Sequence, residues 1–214
     1  MSVLVEAAVE SFGSALAAED AGCKRIELCG SLHNGGVTPS AGLIARCSQK
    51  LLTSVHVLIR PRTGDFVYDE EDVGIMIKDI LVAKELDADG VMIGALTDDG
   101  EIDVAIVSEL MAVATPMKVG FHRAIDDVRD QEMALELLVS LQLDSILTTG
   151  GAKTAVEGTP KLKQLVERAH DRIMIIGAGS VTAGNALALV QATGVRELHA
   201  SRFEGIAAAV EGVV

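Results

Sequence analysis

Several stretches of the chain carry residue types whose spacing suits chemistry on a small anion. Arg60-Pro61-Arg62-Thr63-Gly64-Asp65-Phe66 sets two guanidinium groups on either side of a proline and just before a turn-forming glycine. Two convergent arginines hold a carboxylate or phosphate well, because each planar fork donates paired hydrogen bonds. His122-Arg123-Ala124-Ile125-Asp126 gathers a base, a cation and a carboxylate; imidazole shuttles protons near neutral pH, and Asp126 is spaced to orient it. Thr148-Thr149-Gly150-Gly151, Gly177-Ala178-Gly179-Ser180 and Ser201 offer backbone amides that an anion can approach closely where no side chain intervenes. Each feature has a plainer alternative. One arginine can pair with Glu27 or Asp65, Asp126 can cap a helix, and short glycine turns bend a chain with no ligand involved.

The elements that must position these residues follow from the hydrophobic pattern. Short β-branched runs alternate with longer Ala- and Leu-rich amphipathic stretches, with no linker or low-complexity segment between them. Strands are expected near 3–8, 24–29, 54–60, 90–94, 117–122, 144–148, 172–176 and 196–200. Helices are expected near 11–21, 40–51, 71–86, 102–114, 130–141, 160–170 and 182–192, with a weaker one at 204–213. A local signature recurs at Ala21-Gly22-Cys23, Leu86-Asp87-Ala88, Leu141-Gln142-Leu143 and Ala192-Thr193-Gly194, where a helix ends, the chain turns tightly and a strand begins. Repetition of one βα unit over 214 residues predicts a single domain, 1–214, folded as a TIM (β/α)8 barrel; an open doubly wound sheet is the alternative. With 49% hydrophobic residues and only 2% aromatic, the core must be built from Val, Ile, Leu and Ala.

Alternation along the strands sends charge into the ring. The second strand aims Ile26 and Leu28 at helices, leaving Arg25, Glu27 and Cys29 inward. By the same parity Glu6, His56, Arg60, Arg62, His122, Glu197, His199 and Ser201 belong to the inner set. Parallel strands buried on both faces are normally apolar throughout, so these groups need partners or a ligand. Glu6, Arg25, Glu27 and Glu197 can form an internal ion-pair layer, and His56 can be a core histidine. The residues at strand ends, Arg60, Arg62, His122 and Arg123, lie where barrel sites form. If His56, His199, Cys29, Glu6 and Glu27 converge they can also ligate a metal; of the three thiols only Cys29 points inward.

Composition narrows the partners. A formal charge of −13, from 31 acidic and 18 basic residues, repels nucleic acid and anionic lipid. No basic leader precedes the first apolar run and no run reaches the length of a membrane span, which leads us to expect a cytoplasmic protein. Cys23, Cys29 and Cys47 are odd in number and lack C-x-x-C spacing, so reduced thiols are expected. No strand-end lysine is placed for Schiff-base chemistry, and no G-x-S-x-G elbow is present.

Arg25-Ile-Glu-Leu-Cys29, Gly35-Gly36-x-Thr38-Pro39-Ser40 and His56-Val-Leu-Ile-Arg-Pro-Arg62-x-Gly64-Asp65-Phe66-x-Tyr68 resemble the CutC copper homeostasis family. Ala88-Asp89-Gly90-Val91-x-x-Gly94-Ala95-Leu96-Thr97, Phe121-His122-Arg123-Ala124 and Ile146-Leu147-Thr148-x-Gly150-Gly151 extend the likeness, which runs from about residue 3 to 203. The resemblance implies a TIM barrel, a cytoplasmic location, a homodimer and a link to copper. One position departs: Ala8 stands where members proposed to bind Cu(I) often carry a second cysteine just after the first-strand glutamate. Two functions are therefore expected in competition. The first is a copper protein using Cys29 with His or Met ligands. The second is an enzyme acting on a small phosphorylated or carboxylated metabolite. In it Glu27 and His122 do acid–base work with Arg123 and Asp126 beside them, while Arg60 and Arg62 hold an anionic group. Glu6, Arg25, His56, Thr149, Gly150, Gly151 and His199 would contribute to the ligand site, and Gly177, Gly179 and Ser201 would take a phosphate.

Overall fold

The computed structural model describes residues 3–213; Met1, Ser2 and Val214, which the 1–214 domain reading includes, lie outside them. Eight strands, β1 Leu4–Val9, β2 Arg25–Leu28, β3 Ser54–Leu58, β4 Gly90–Ile93, β5 Lys118–Phe121, β6 Ser145–Thr148, β7 Met174–Gly177 and β8 Glu197–Ala200, pair in parallel in sequence order, and β8 closes on β1. Helices α1 Phe12–Asp20, α2 Ala41–Lys50, α3 Glu70–Glu85, α4 Val104–Ala114, α5 Gln131–Ser140, α6 Thr159–Ala169, α7 Ala186–Thr193 and α8 Ile206–Ala209 alternate with them. The chain is thus a TIM (β/α)8 barrel and not an open sheet.

Two helices start or end away from their expected bounds, for local reasons. The stretch before α7 is held as a turn in which Thr182 N donates to the Asn185 side chain at 2.8 Å, so the helix begins at Ala186 and not at 182. A left-handed Gly205 immediately precedes α8, and the helix is a single turn. Elsewhere side-chain caps set the starts: Ser11, Ser40, Asp69, Asp103 and Asp130 each accept from a first-turn amide, contributions of about 1 kcal/mol apiece. The recurring αβ signature has one geometry in all four places. Gly22, Asp87, Gln142 and Gly194 adopt φ of 87°, 59°, 66° and 77°, the left-handed step that turns a helix end back into a strand. Just beyond two of these steps, Asp89 and Asp144 accept the amides of Val55 and Val119 at 2.7 and 2.8 Å, tying each strand start to its neighbour.

The main core lies between strands and helices and is aliphatic, with Ile26, Leu28, Ile44, Ile80, Ile93 and Leu110 among its fully buried members. A separate small cluster of Cys29, Leu58, Met92, Leu147, Ile176 and Ala178 fills part of the ring's interior. The rest of the interior is polar. Arg25 bonds Glu6 on one side and Glu197 on the other, and His199 Nδ1 lies 2.6 Å from Glu6 Oε1. Glu6 is completely buried. Burial alone would raise its pKa, but the Arg25 charge and the His199 hydrogen bond hold the carboxyl far below the usual carboxylate range. The ion-pair layer read from strand parity is therefore present, with His199 as a further member.

Two imidazoles need extra room, and glycines on β4 and just after it supply it. A Cβ at Gly90 would stand 2.7 Å from His56 Nε2, and one at Gly94 would stand 2.4 Å from His122 Cε1. The rings occupy the space that side chains at those positions would fill.

Because Glu6 has no access to water, removing Arg25 leaves its charge with only the contact to His199. Arg25→Ala is expected to destabilise the fold by roughly 3–5 kcal/mol, the usual cost of breaking a buried pair from one side, read as a fall in the urea midpoint. An unchanged midpoint would show that the layer does not hold the ring.

Candidate functional site

At the C-terminal end of the ring, where side chains after each strand converge, lies a cavity of about 300 Å³. Its lining includes Glu27 and Cys29 from the end of β2, Arg60 after β3, His122 and Arg123 after β5, Gly179 and Ser180 after β7, and His199, Ser201 and Arg202 from β8 onward. Leu32, Leu58, Phe66, Leu147, Ala178 and Val181 supply apolar wall.

Arg60 is only 7% exposed and is clamped in place. Its backbone N–H donates to Thr38 Oγ1 at 3.0 Å, its Nη1 donates to the Gly36 carbonyl at 3.0 Å and its Nη2 to the Gly64 carbonyl at 2.6 Å. Its guanidinium lies 4.8 Å from the Phe66 ring centroid. Gly35 and Gly36 turn at φ of 88° and 86°, and a Cβ at Gly35 would approach Arg60 Nη1 to 3.1 Å. The segment is thus shaped around the guanidinium. One donor, Arg60 Nε, is buried with no partner among the described residues.

His122 is 4% exposed, and its Nδ1 accepts the Ala124 amide at 3.2 Å. With Nδ1 accepting, the proton of the neutral ring sits on Nε2, and that atom is also buried without a partner among the described residues. Burial, reinforced by the Arg60 charge, lowers the imidazole pKa to about 3. At neutral pH the ring is uncharged and offers an N–H.

Across the cavity, His199 links two carboxylates. Its Nδ1 faces Glu6, and its Nε2 lies 3.6 Å from Glu27 Oε2. Burial alone would depress the His199 pKa, but the Glu6 hydrogen bond and the charges of Glu27 and Glu6 carry it above the usual value. Burial pushes Glu27 up to about 7 against the pull of His199, and the neighbouring Glu6 charge adds to the rise. Glu27 therefore exchanges its proton near neutrality, the range in which acid–base groups work best.

Several expected members stand elsewhere. Arg62 is directed away from the cavity: Nε donates to Asp72 on α3 at 2.7 Å, Nη1 and Nη2 reach Asp65, and Nη2 also donates to the Val67 carbonyl. Of the two arginines, one enters the cavity and the other ties down its loop. Asp126 does not contact His122 or cap a helix. It receives Thr148 Oγ1 at 2.6 Å, the amides of Thr149 and Gly151 at 3.1 Å, and Arg123 Nε at 3.0 Å. The amide nest of the loop after β6 is thus filled by an internal carboxylate, and Gly150 N turns to Thr148 Oγ1. Thr149, Gly150 and Gly151 do not line the cavity. Gly177 faces the helices, near Leu189, Val195 and Leu198, while Gly179 lines the mouth in a left-handed conformation. His56, with its pKa lowered by burial to about 4, lies among the interior side chains without reaching the cavity, and its Nδ1 has no partner among the described residues. Glu6 and Arg25 likewise act behind the lining. Sequence reasoning gave no role to Phe66, Gly94 or Arg202; Phe66 and Gly94 stood inside motifs that it singled out, as did Ser180 among the glycine turns, whereas Arg202 carried no signal.

Copper makes its own demands on these donors. Glu6, Glu27 and His199 are the described residues whose ligand atoms gather within 4.8 Å of one another, a set of two carboxylates and one imidazole. Cu(I) takes thiolate, thioether or imidazole instead. Arg25 already occupies Glu6, and the Cys29 thiol, outside that group, has its pKa pushed well above the usual value by burial and by Glu27 and Glu6. These residues do not fit Cu(I). Cys23, Cys29 and Cys47 are buried and unpaired, as expected of reduced thiols.

Comparison with known proteins covers nearly the whole barrel. The human copper homeostasis protein cutC homolog is 43% identical over 92% of this chain and 72% of its own length. A CutC family protein of Bacteroides fragilis is 43% identical over 97% of this chain and 83% of its own. A CutC crystal structure from Streptococcus agalactiae superposes with a TM-score of 0.90 at 36% identity, covering 94% of this chain and 99% of that one. An aldolase at 14% identity and a TM-score of 0.73 shares the fold alone. Residues 3–204 match the CutC family, and the chain belongs to that family.

Proposed function

We propose that this CutC protein binds a small anionic metabolite at the barrel mouth and acts on it by acid–base chemistry. The observation that carries the reading is that two donors, His122 Nε2 and Arg60 Nε, are buried without partners on residues that line one cavity. A buried N–H left unbonded costs about 1–3 kcal/mol, a cost that a ligand oxygen would relieve. Arginines also gather at the mouth of this acidic protein: Arg60, Arg123 and Arg202 line it together with Glu27, Arg123 is paired with Asp126, and Arg202 has no ion-pair partner among the described residues. Such a patch draws anions towards the site. Gly179, Ser180 and Ser201 sit beside Arg202 at the rim after β7 and β8, the usual place of a phosphate in this fold.

The role in the relatives' names, copper homeostasis, we read as an effect reached through this small-ligand site and not through Cu(I) ligation at it. No helix among the described residues is long and apolar enough to cross a membrane. We further read the protein as a cytoplasmic homodimer, on the family likeness.

Three measurements test this reading. In a thermal-shift panel of phosphorylated and carboxylated metabolites, one class is expected to stabilise the protein, by about 2.7 kcal/mol at a hundredfold excess over Kd. Arg202→Ala should weaken that ligand about tenfold, the worth of one charge-assisted hydrogen bond, and a panel without any shift would reject the site. Cu(I) titration against a competing chelator should show no stoichiometric binding that Cys29→Ser abolishes; such binding would restore the copper site. Finally, burial raises the Glu27 pKa to about 7 against an ordinary 4.5, so as pH rises through 4.5 the unfolded chain loses this proton while the native state keeps it, and the native state is penalised increasingly up to about pH 7. Glu27→Gln should match the parent near pH 4.5, gain on it steadily as pH rises towards 7 and keep a level advantage above that; a constant difference between pH 4.5 and 7 would contradict the assignment.

A further inference from the structure

The closed strand order fixes which groups confront each other across the mouth. The ends of β2 and β8 flank β1 and carry Glu27 and His199, while β5, four strands round from β1, carries His122. A carboxyl group thus stands on one wall and an uncharged N–H donor, with the Arg60 guanidinium nearby, on the other. Glu6 fixes the His199 ring from behind, and the other nitrogen of that ring faces Glu27. His199 is in this sense a positioning residue for Glu27.

Other chemistries lack their parts. No lysine lines the cavity among the described residues, so none is placed there to form an imine. The Cys29 thiol is kept protonated. The mouth histidines bond Ala124 and Glu6 and not a serine, so Ser180 and Ser201 have no base. The groups that are present, a carboxyl facing preorganised donors, suit movement of a proton to and from carbon. It needs a base on one side of the substrate and preorganised donors where charge develops on the other.

Resting on the reading of the mouth as an anion site, we propose that the reaction is proton abstraction from the carbon next to a carbonyl, with Glu27 as the base and His122 Nε2–H and Arg60 holding the carbonyl oxygen. The Glu27 carboxylate takes the α-proton and becomes the acid. The C–H electron pair forms the carbon–carbon double bond of an enolate, and the carbonyl π pair moves onto the oxygen. Return of the proton from Glu27 to the same carbon exchanges it. Where that carbon also carries a hydroxyl, the O–H proton passes to the former carbonyl oxygen, and return of the carbon proton to the former carbonyl carbon then isomerises the substrate. An uncharged imidazole is the suitable partner, since it polarises the oxygen without neutralising the enolate by full proton transfer. The substrate class is a small carbonyl compound with an anionic tail held at the Arg202 rim.

The test is proton NMR in D2O with glycolaldehyde phosphate, dihydroxyacetone phosphate and pyruvate, each followed in parallel by thermal shift. For at least one probe the protein should speed loss of the α-proton signal at least a hundredfold over buffer, and whether a phosphate-tailed or the carboxylate-tailed probe responds identifies the tail. Glu27→Gln should cut the rate at least a hundredfold while the probe still shifts Tm. His122→Leu should lower kcat by roughly 10²–10³, the range for loss of one such donor, and His122→Gln, which keeps an N–H, should recover part of it. A probe that shifts the Tm of the unmodified protein but exchanges at the buffer rate overturns this inference and leaves the binding reading standing; exchange that survives Glu27→Gln also overturns it. Absence of a shift with every probe overturns the anion site and the chemistry built on it. The unmodified protein decides these outcomes even if a variant fails to fold.

Discussion

A single carboxylate with no access to water organises the interior of this barrel. Glu6 sits at the middle of β1, and its charge is tolerable only because Arg25 on β2 and His199 on β8 contact it from the two neighbouring strands. The ring closes through these same strands, so the ion pairs bind β8, β1 and β2 together where the chain must find its own beginning. Arg25 also takes Glu197, leaving no guanidinium charge to spare. Replacing such a layer with well-packed apolar residues would often cost nothing. Its retention makes sense as a support that fixes the far side of His199 and so the near side, where Glu27 and the cavity lie.

The opposite wall works by withholding charge. His122 is pressed against the space left by Gly94, lies 5.0 Å from the Phe66 ring centroid, and shares its surroundings with Arg60. Those neighbours favour the neutral ring, and the amide of Ala124 selects its tautomer. One end of the cavity therefore holds protons near neutrality and the other offers a donor that does not titrate there. That polarity is set by environments and not by residue types, since the cavity has a histidine on each side.

The loops show how an anion-binding shape can be consumed internally. Thr148 to Gly151 has the glycines and the amides of an anion nest, and it does bind an anion: Asp126, which also holds Arg123. The consequence is rigidity of the rim and not a second ligand position. Arg62 repeats the theme, with its fork spent on Asp72, Asp65 and Val67 so that the loop holding Phe66 stays over the mouth.

Periodicity alone determined the eight strands, the helices between them and the inward parity of Glu6, Arg25, Glu27, His56, His122 and His199, because side-chain alternation in a strand is a property of the backbone; closure of the ring over an open sheet was expected from the repeated βα unit and decided by the pairing of β8 with β1. The left-handed turns at Gly22, Asp87, Gln142 and Gly194 were equally legible, since a helix end leaves few ways back into a strand. Tertiary structure decided which of two adjacent arginines enters the cavity, what fills the Thr148 loop, which side Gly177 faces, and which groups carry charge. Arg62 is diverted by partners 3 to 10 positions away, but the other outcomes turn on residues as far as 193 positions away across the ring and on how much water reaches each group; no local pattern encodes the choice.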